Sequence, residues 1–190
     1  MPMEYRTIPD ELSRILEDFL HEKGLLLEKT AHALAKALAS GHKILVFGNG
    51  GSAAQAQHLA SELVNKFSRP RRALPAVALT ADTSALTSIA NDSSFDLVFS
   101  RQVEALGAEG DVALALSTSG MSKNIVRGLQ AARKKKMLTV ALTGEGGGKL
   151  GPFADMLLDV SSRTTPRIQE AHLVLLHLIA QELDERLAGD

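Results

Sequence analysis

Apolar positions along this chain begin with a helical period and then break into short runs. Leu12, Ile15, Leu16, Phe19 and Leu20 recur on one helical face, after Pro9 and Asp10 at a natural helix start. The pattern resumes with Leu27, Ala31, Leu34, Ala35 and Leu38 and stops at Gly41. Gly24 lies between the two runs, which fit either two helices or one weakened helix. Beyond Gly41, short apolar runs alternate with helical stretches. Residues 44–47 precede a helix over about 52–67, and 76–79 precede one near 83–90. Residues 112–116 precede a helix over 122–135, and 138–142 run into a glycine-rich turn. Residues 156–160 lead to a last helix over about 166–187. Apolar strands with helices between them predict an α/β fold, three layers around a five-stranded parallel sheet. No repeat, low-complexity tract or linker divides 1–190, which reads as a single domain with the helical segment 1–41 packed on it.

Composition narrows the class. With 190 residues and 45% hydrophobic content the chain can bury one substantial core. A formal net charge of −1 gives no general bias toward nucleic acid. The basic runs 66–72 and 133–136 read as solvated helix ends. The absence of cysteine excludes a disulfide framework and thiolate chemistry, and it fits a reducing compartment. The stretch MPMEYRTIPDELSRIL carries charges where a signal peptide needs an apolar core, and no segment approaches about 18 consecutive apolar residues. The expectation is a cytoplasmic protein with neither membrane nor nucleic acid as partner.

Two loops carry candidate chemistry. The apolar run 112–116 ends in Ser117-Thr118-Ser119-Gly120-Met121-Ser122, and a helical pattern of Ile125, Leu129 and Ala132 begins at once. A buried parallel strand ending in small hydroxyl residues at a helix N-terminus makes an anion site, because free N–H groups and the helix dipole converge there. The first strand ends in Phe47-Gly48-Asn49-Gly50-Gly51-Ser52, where glycines allow positive φ and close approach and Ser52 can cap the next helix. Ala53 stands where a dinucleotide fingerprint needs its third glycine, and no Gly-Lys-Ser/Thr follows, so neither nucleotide motif is present. By itself this loop is as readily a tight turn without a ligand. Two such loops on neighbouring strands favour a sugar-phosphate pocket, since open α/β sheets bind ligands at that edge.

Polar residues on two helices are the candidates for acting on the sugar. His58 and Glu62 are spaced to share one helix face, although a solvated i,i+4 pair is the commoner meaning of that spacing. In the last helix Gln169, Glu170, His172 and His177 interrupt a very apolar background. Unpaired burial of such groups costs roughly 1–3 kcal/mol, so each needs a partner or an interface. A satisfied core histidine explains His172 or His177 individually. Alternatively, imidazole, carboxylate and amide groups from two helices converge on one divalent metal or on a substrate carbonyl.

Six segments then become informative together: FGNGGSAAQAQHLASEL (47–63), LPAVALT (74–80), IANDSSFDLVFSRQVEALGAEGDV (89–112), LSTSGMSKN (116–124), VALTGEGGG (140–148) and RIQEAHLVLLH (167–177). In their order and spacing the chain resembles the sugar isomerase (SIS) domain proteins and, within them, the bacterial phosphoheptose isomerases. The resemblance implies a flavodoxin-like sheet with N-terminal and C-terminal helices, and an assembly of four identical subunits. It implies that Asn49, Gly50, Gly51, Ser52, Ser117, Thr118, Ser119 and Ser122 hold the sugar phosphate and its hydroxyls. Asn91, Asp92, Glu62 and Gln169 would complete the substrate contacts. Glu62 and His177 would be the acid–base pair, and His58, Glu62, Gln169 and His177 would hold one zinc ion per subunit. The implied reaction converts sedoheptulose 7-phosphate into D-glycero-D-manno-heptose 7-phosphate, toward the heptose of lipopolysaccharide or related glycans.

Competing readings of the same fold are a non-catalytic tetramer that binds the replication initiator, a sugar-phosphate-sensing regulator, and an isomerase of another phosphosugar. Glu62 and His177 favour the phosphoheptose enzyme over the non-catalytic tetramer, which lacks both. Pro166 stands where those isomerases often carry an acidic residue, and Met121 where asparagine is usual. Gln169 and His177 are eight residues apart, about 12 Å along a straight helix. Either that helix bends or two subunits contribute to each site, the apolar faces of the first and last helices supplying the interface.

Overall fold

β1 (Ile44–Gly48) and β3 (Val112–Ser117) are buried at every position, as strands covered on both faces must be. They pair in parallel, Ile44 opposite Val112 through Gly48 opposite Leu116. Both lie inside a five-stranded parallel sheet, in a computed structural model that describes residues 5–188. β2 (Ala76–Ala78) extends it beyond β1, and β4 (Leu138–Thr143) and β5 (Met156–Asp159) extend it beyond β3. The resulting order, β2-β1-β3-β4-β5, is the flavodoxin-like one.

Alternate side chains build the two remaining layers. Ile44, Val46, Val112, Leu114, Leu116, Val140, Leu142 and Leu158 pack against α1 (Thr7–Ala39), α2 (Gly51–Val64) and α6 (Thr165–Arg186). Leu45, Phe47, Ala113, Ala115 and Ala141 face the other way. Against them pack α4 (Val98–Leu106) and α5 (Lys123–Lys134), with Leu86, Ile89 and Ala90 of α3 (Thr83–Asp92) at the margin. The expected three-layer architecture is therefore present. The ends of the expected 1–190 domain, 1–4 and 189–190, lie outside the described residues. Among the described residues no helix is long and apolar enough to cross a membrane.

Three details depart from the sequence reading. The first two apolar runs form one unbroken helix, because α1 packs on α6 and tertiary packing carries it through Gly24. A further helix, α4, follows α3. Its stripe of Val98, Phe99 and Val103 is interrupted by Gln102, which is buried and donates to the Leu79 and Val98 carbonyls. The run 66–72 is not simply a solvated helix end, since Arg71 turns inward and its side chain is fully buried. The second basic run does end a helix, with Arg133 and Lys134 in the last turn of α5.

Gly24 has ordinary helical neighbours and nothing within 4 Å of where a Cβ would stand. Gly24→Ala is therefore expected to raise the unfolding free energy by about 1 kcal/mol in urea titration. A loss of stability would mean that α1 is not helical through this point.

Candidate active site

β2 and β3 flank β1 on opposite sides, so the sheet's switch point lies at the C-terminal ends of β1 and β3. Each strand turns there into a helix, β1 into α2 and β3 into α5. Asn49 and Asn124, one from each crossing, exchange two amide hydrogen bonds of 2.9 Å. Asn124 Oδ1 also accepts from the Ile125 N–H, which ties the pair to the first turn of α5. The two crossings enclose a cavity of about 60 Å³ lined by Asn49, Ser52, Ser117, Thr118, Ser119, Ser122 and Gln169, with Leu116 and Ile125 at its base. That is far below the roughly 300 Å³ that encloses a whole small-molecule ligand. It takes one end of a substrate.

The donors around the cavity are neutral, and no lysine or arginine lines it. Two helix N-termini open onto it, α2 after the first loop and α5 after the second, which suits an anion without a cationic partner. The second loop is braced from behind by the glycine-rich turn after β4. Lys149 N–H donates to the Gly120 carbonyl and Gly144 N–H to the Thr118 carbonyl, at 2.9 and 3.0 Å. Gly120 has φ +63°, and a Cβ there would collide with the Gly147 carbonyl, so no other residue fits. Of the glycines in the first loop, Gly50 takes positive φ. Gly51 instead leaves room for a side chain, since a Cβ would fall 2.6 Å from the Gln169 amide nitrogen.

Farther along α2 lies a second polar cluster. His58 Nε2 is 3.0 Å from His177 Nε2 of α6 and 3.5 Å from Glu62 Oε1. The His177 ring also packs on Phe67, with centroids 5.4 Å apart. The cluster is neither sealed nor free in solvent, with the His58 side chain 42% exposed and that of Glu62 22%. His58 is the shared neighbour of the other two. Among the described residues no group of three or more His, Cys, Asp and Glu is closed up into a metal site. The two distances from His58 nonetheless lie near the roughly 3.3 Å that separates ligands each about 2.05 Å from one zinc ion.

The other candidates separate. Gln169 lines the phosphate-sized cavity, and its main-chain carbonyl accepts from Gln55 Nε2 at 2.6 Å. α6 runs unbroken past it, so Gln169 and His177 of one chain serve different ends of the crevice. Asn91 and Asp92 close α3, exposed and bonded to each other at 2.7 Å, and neither lines the cavity. His172 is a core histidine: fully buried, its Nε2 donates to the Thr143 carbonyl at 3.1 Å while Nδ1 has no partner. Burial pushes its pKa down to about 4, against the pull of that hydrogen bond. Pro166 sits in the first turn of α6, where its missing N–H is no loss, and Met121 is exposed outside the cavity lining. Asn124, Phe67 and Arg71 were not singled out by the sequence, and only Asn124 had a local signal, as the last residue of the hydroxyl-rich segment.

The SIS-domain profile matches residues 9–144. The phosphoheptose isomerase of Desulfovibrio desulfuricans is 54% identical over 172 residues, 90% of this chain and 82% of that one. The chain belongs to the SIS-domain family, among its phosphoheptose isomerases. Solved phosphoheptose isomerases share the architecture. The structure from Neisseria gonorrhoeae matches with TM-score 0.87 and 42% identity over 93% of this chain and 94% of that one. The one from Francisella tularensis matches with TM-score 0.91 and 34% identity over 95% and 96%. The SIS profile ends at residue 144, short of α6.

Two measurements check this geometry. Gly51→Ala meets only the movable end of Gln169, so the protein should fold normally while the displaced amide raises the KM for a sugar phosphate several-fold. An unchanged KM would take Gln169 out of substrate binding. For His172, the unfolded chain binds the proton at an ordinary value near 6.5 and the folded chain only near 4. Stability from this group is therefore present above about 6.5 and is lost as pH falls toward 4, by about 3 kcal/mol. His172→Gln keeps a donor for Thr143 and should lose that much less between pH 7 and pH 4 in urea titrations.

Proposed function

We propose that the chain converts sedoheptulose 7-phosphate into D-glycero-D-manno-heptose 7-phosphate, with the phosphate in the hydroxyl-lined cavity and Glu62 and His177 as the acid–base pair. One observation carries this reading: a single helix, α2, supplies both ends of the site. Ser52 lines the cavity, and His58 lies six residues farther on, about 9 Å along the axis. That is the span of an extended seven-carbon sugar phosphate, so its C1 and C2 reach the His58–Glu62–His177 cluster while its phosphate stays in the cradle. A non-catalytic scaffold has no use for that arrangement.

The chemistry follows from the groups. The Glu62 carboxylate takes a proton from C1, and a ring N–H of His177 gives one to O2, which yields the cis-enediol. His177 then takes the O1 proton as Glu62 returns its proton to C2, leaving the aldehyde at C1. Each transfer of this kind contributes about 10²–10⁴-fold in rate. His58 stands 3.5 Å from one oxygen of the Glu62 carboxylate, which leaves the other for the substrate.

His58, Glu62 and His177 would hold a zinc ion, given two imidazole nitrogens and a carboxylate oxygen gathered around His58. When bound, such an ion supplies a Lewis acid at the enediolate oxygen. Gln169 joins that set only if a second copy of the chain contributes it. Leu20 and Leu25, exposed on α1, support assembly of several copies, four in the reading proposed here.

Purified protein supplied with zinc and sedoheptulose 7-phosphate should produce the aldose, followed by chromatography of the product. Glu62→Gln and His177→Gln should each lose about 10²–10⁴-fold in kcat with circular dichroism unchanged. No turnover in the metal-supplied wild type would sink the assignment. A strictly monomeric protein with full activity in sedimentation would remove the shared-site version alone.

A further inference from the structure

Glu62 sits two residues from the end of α2, where the last carbonyls have no partner within the helix and the final turn is prone to fray. Here that turn is held by a charge buried for the purpose. Arg71, in the segment after α2, donates through its guanidinium to the Glu62 carbonyl at 2.8 Å and to the Leu63 carbonyl at 2.9 Å. Its Nε donates to Asp184 Oδ1 of α6 at 2.6 Å, and both side chains are 0% exposed. The other Asp184 oxygen accepts from the Ser68 and Arg69 N–H groups at 2.7 and 2.9 Å. Those residues follow Phe67, whose ring lies against His177. Asp184 itself is seven residues beyond His177, two helical turns along the same face of α6.

Such a pair is a poor choice for stability alone, because apolar residues of similar volume commonly do as well or better. What an apolar pair lacks is a planar fork that meets two carbonyls and a carboxylate at once. The geometry points to Arg71 and Asp184 as positioning residues that fix Glu62 on α2 against His177 on α6. Arg71 caps the turn carrying the carboxylate, and Asp184 anchors the segment that backs the imidazole. The inference rests on the acid–base reading of Glu62 and His177 given above. The phosphate cradle, at the opposite end of α2, is untouched by either residue.

The test separates placement from folding. The double variant Arg71→Met/Asp184→Leu replaces the pair with apolar side chains and is expected to fold, as judged by thermal melting. Its kcat for sedoheptulose 7-phosphate should fall about 10- to 100-fold, the scale of a displacement near 1 Å. KM should stay within about twofold, since the phosphate contacts remain. Arg71→Lys keeps the charge but not the fork, and should show the same split to a smaller degree. A folded double variant with wild-type kcat overturns the proposal, as does a KM that rises in step with the loss of kcat. Failure of both variants to fold assigns the pair to stability alone and also overturns it. Glu62→Gln, measured alongside, keeps the two readings apart: if it retains turnover, the acid–base assignment fails on its own account.

Discussion

The site depends on two parallel strands ending side by side and turning into helices that point at the same space. β1 and β3 are held in register by their ladder, and the reciprocal Asn49–Asn124 amide pair then locks the two crossings to each other. Each asparagine amide satisfies the other, so neither is left as an unpaired polar group at the top of a buried sheet. With the crossings locked, two helix N-termini and five hydroxyl side chains share one small cavity. Recognition of the anion is then a matter of orientation, since neutral donors must all aim correctly to replace a missing cation. The brace from the turn after β4, closed by Gly120 against Gly147, keeps the second loop from relaxing out of that aim.

From this anchor α2 and α6 extend together. They lie alongside one another in the same direction, so that Gly51 meets Gln169 at one end and His58 meets His177 at the other. A rigid pair of helices therefore sets the cavity and the His58–Glu62–His177 cluster, the proposed places of phosphate recognition and proton transfer, a fixed length apart. Binding energy gained at the non-reacting phosphate can be used to place C1 and C2, which is how remote contacts raise kcat rather than only lowering KM. The Arg71–Asp184 pair closes the far end of the same two helices, which makes the crevice a frame fastened at both ends.

Much of this was legible in the chain. Strands buried on both faces read as continuous apolar runs, and the hydroxyl and glycine loops stood where those runs stopped, so the sheet and the cradle followed from local pattern. His58 and Glu62 were paired by helical spacing alone. What escaped depended on contacts distant in sequence. Gln102 looks like a break in an apolar stripe until its partner at Leu79 is known, and so α4 was missed. Arg71 looks like one more exposed charge in a basic run, because nothing near it announces Asp184, 113 residues away. Gly24 left the first helix undecided because propensity is weaker than the packing of α1 on α6. Asn91 and Asp92, expected to touch the sugar, are bonded to each other and lie outside the cavity lining.

The length of α6 bears on the proposed metal as well. Gln169 and His177 are both inward-facing, yet the helix between them is unbroken and Gln169 is committed to the cradle by its contact with Gly51 and its place in the cavity lining. A single chain therefore offers two imidazoles and one carboxylate near one point, and an amide near another. Three protein ligands with an open position are the usual arrangement of a catalytic zinc site, whereas a fourth closes it. If those three residues held a zinc ion, the position left open would supply a Lewis acid beside the substrate's own oxygen. In that reading Gln169, which lines the cavity, would add a neutral donor to a cradle without cations and would leave the other end of the crevice open.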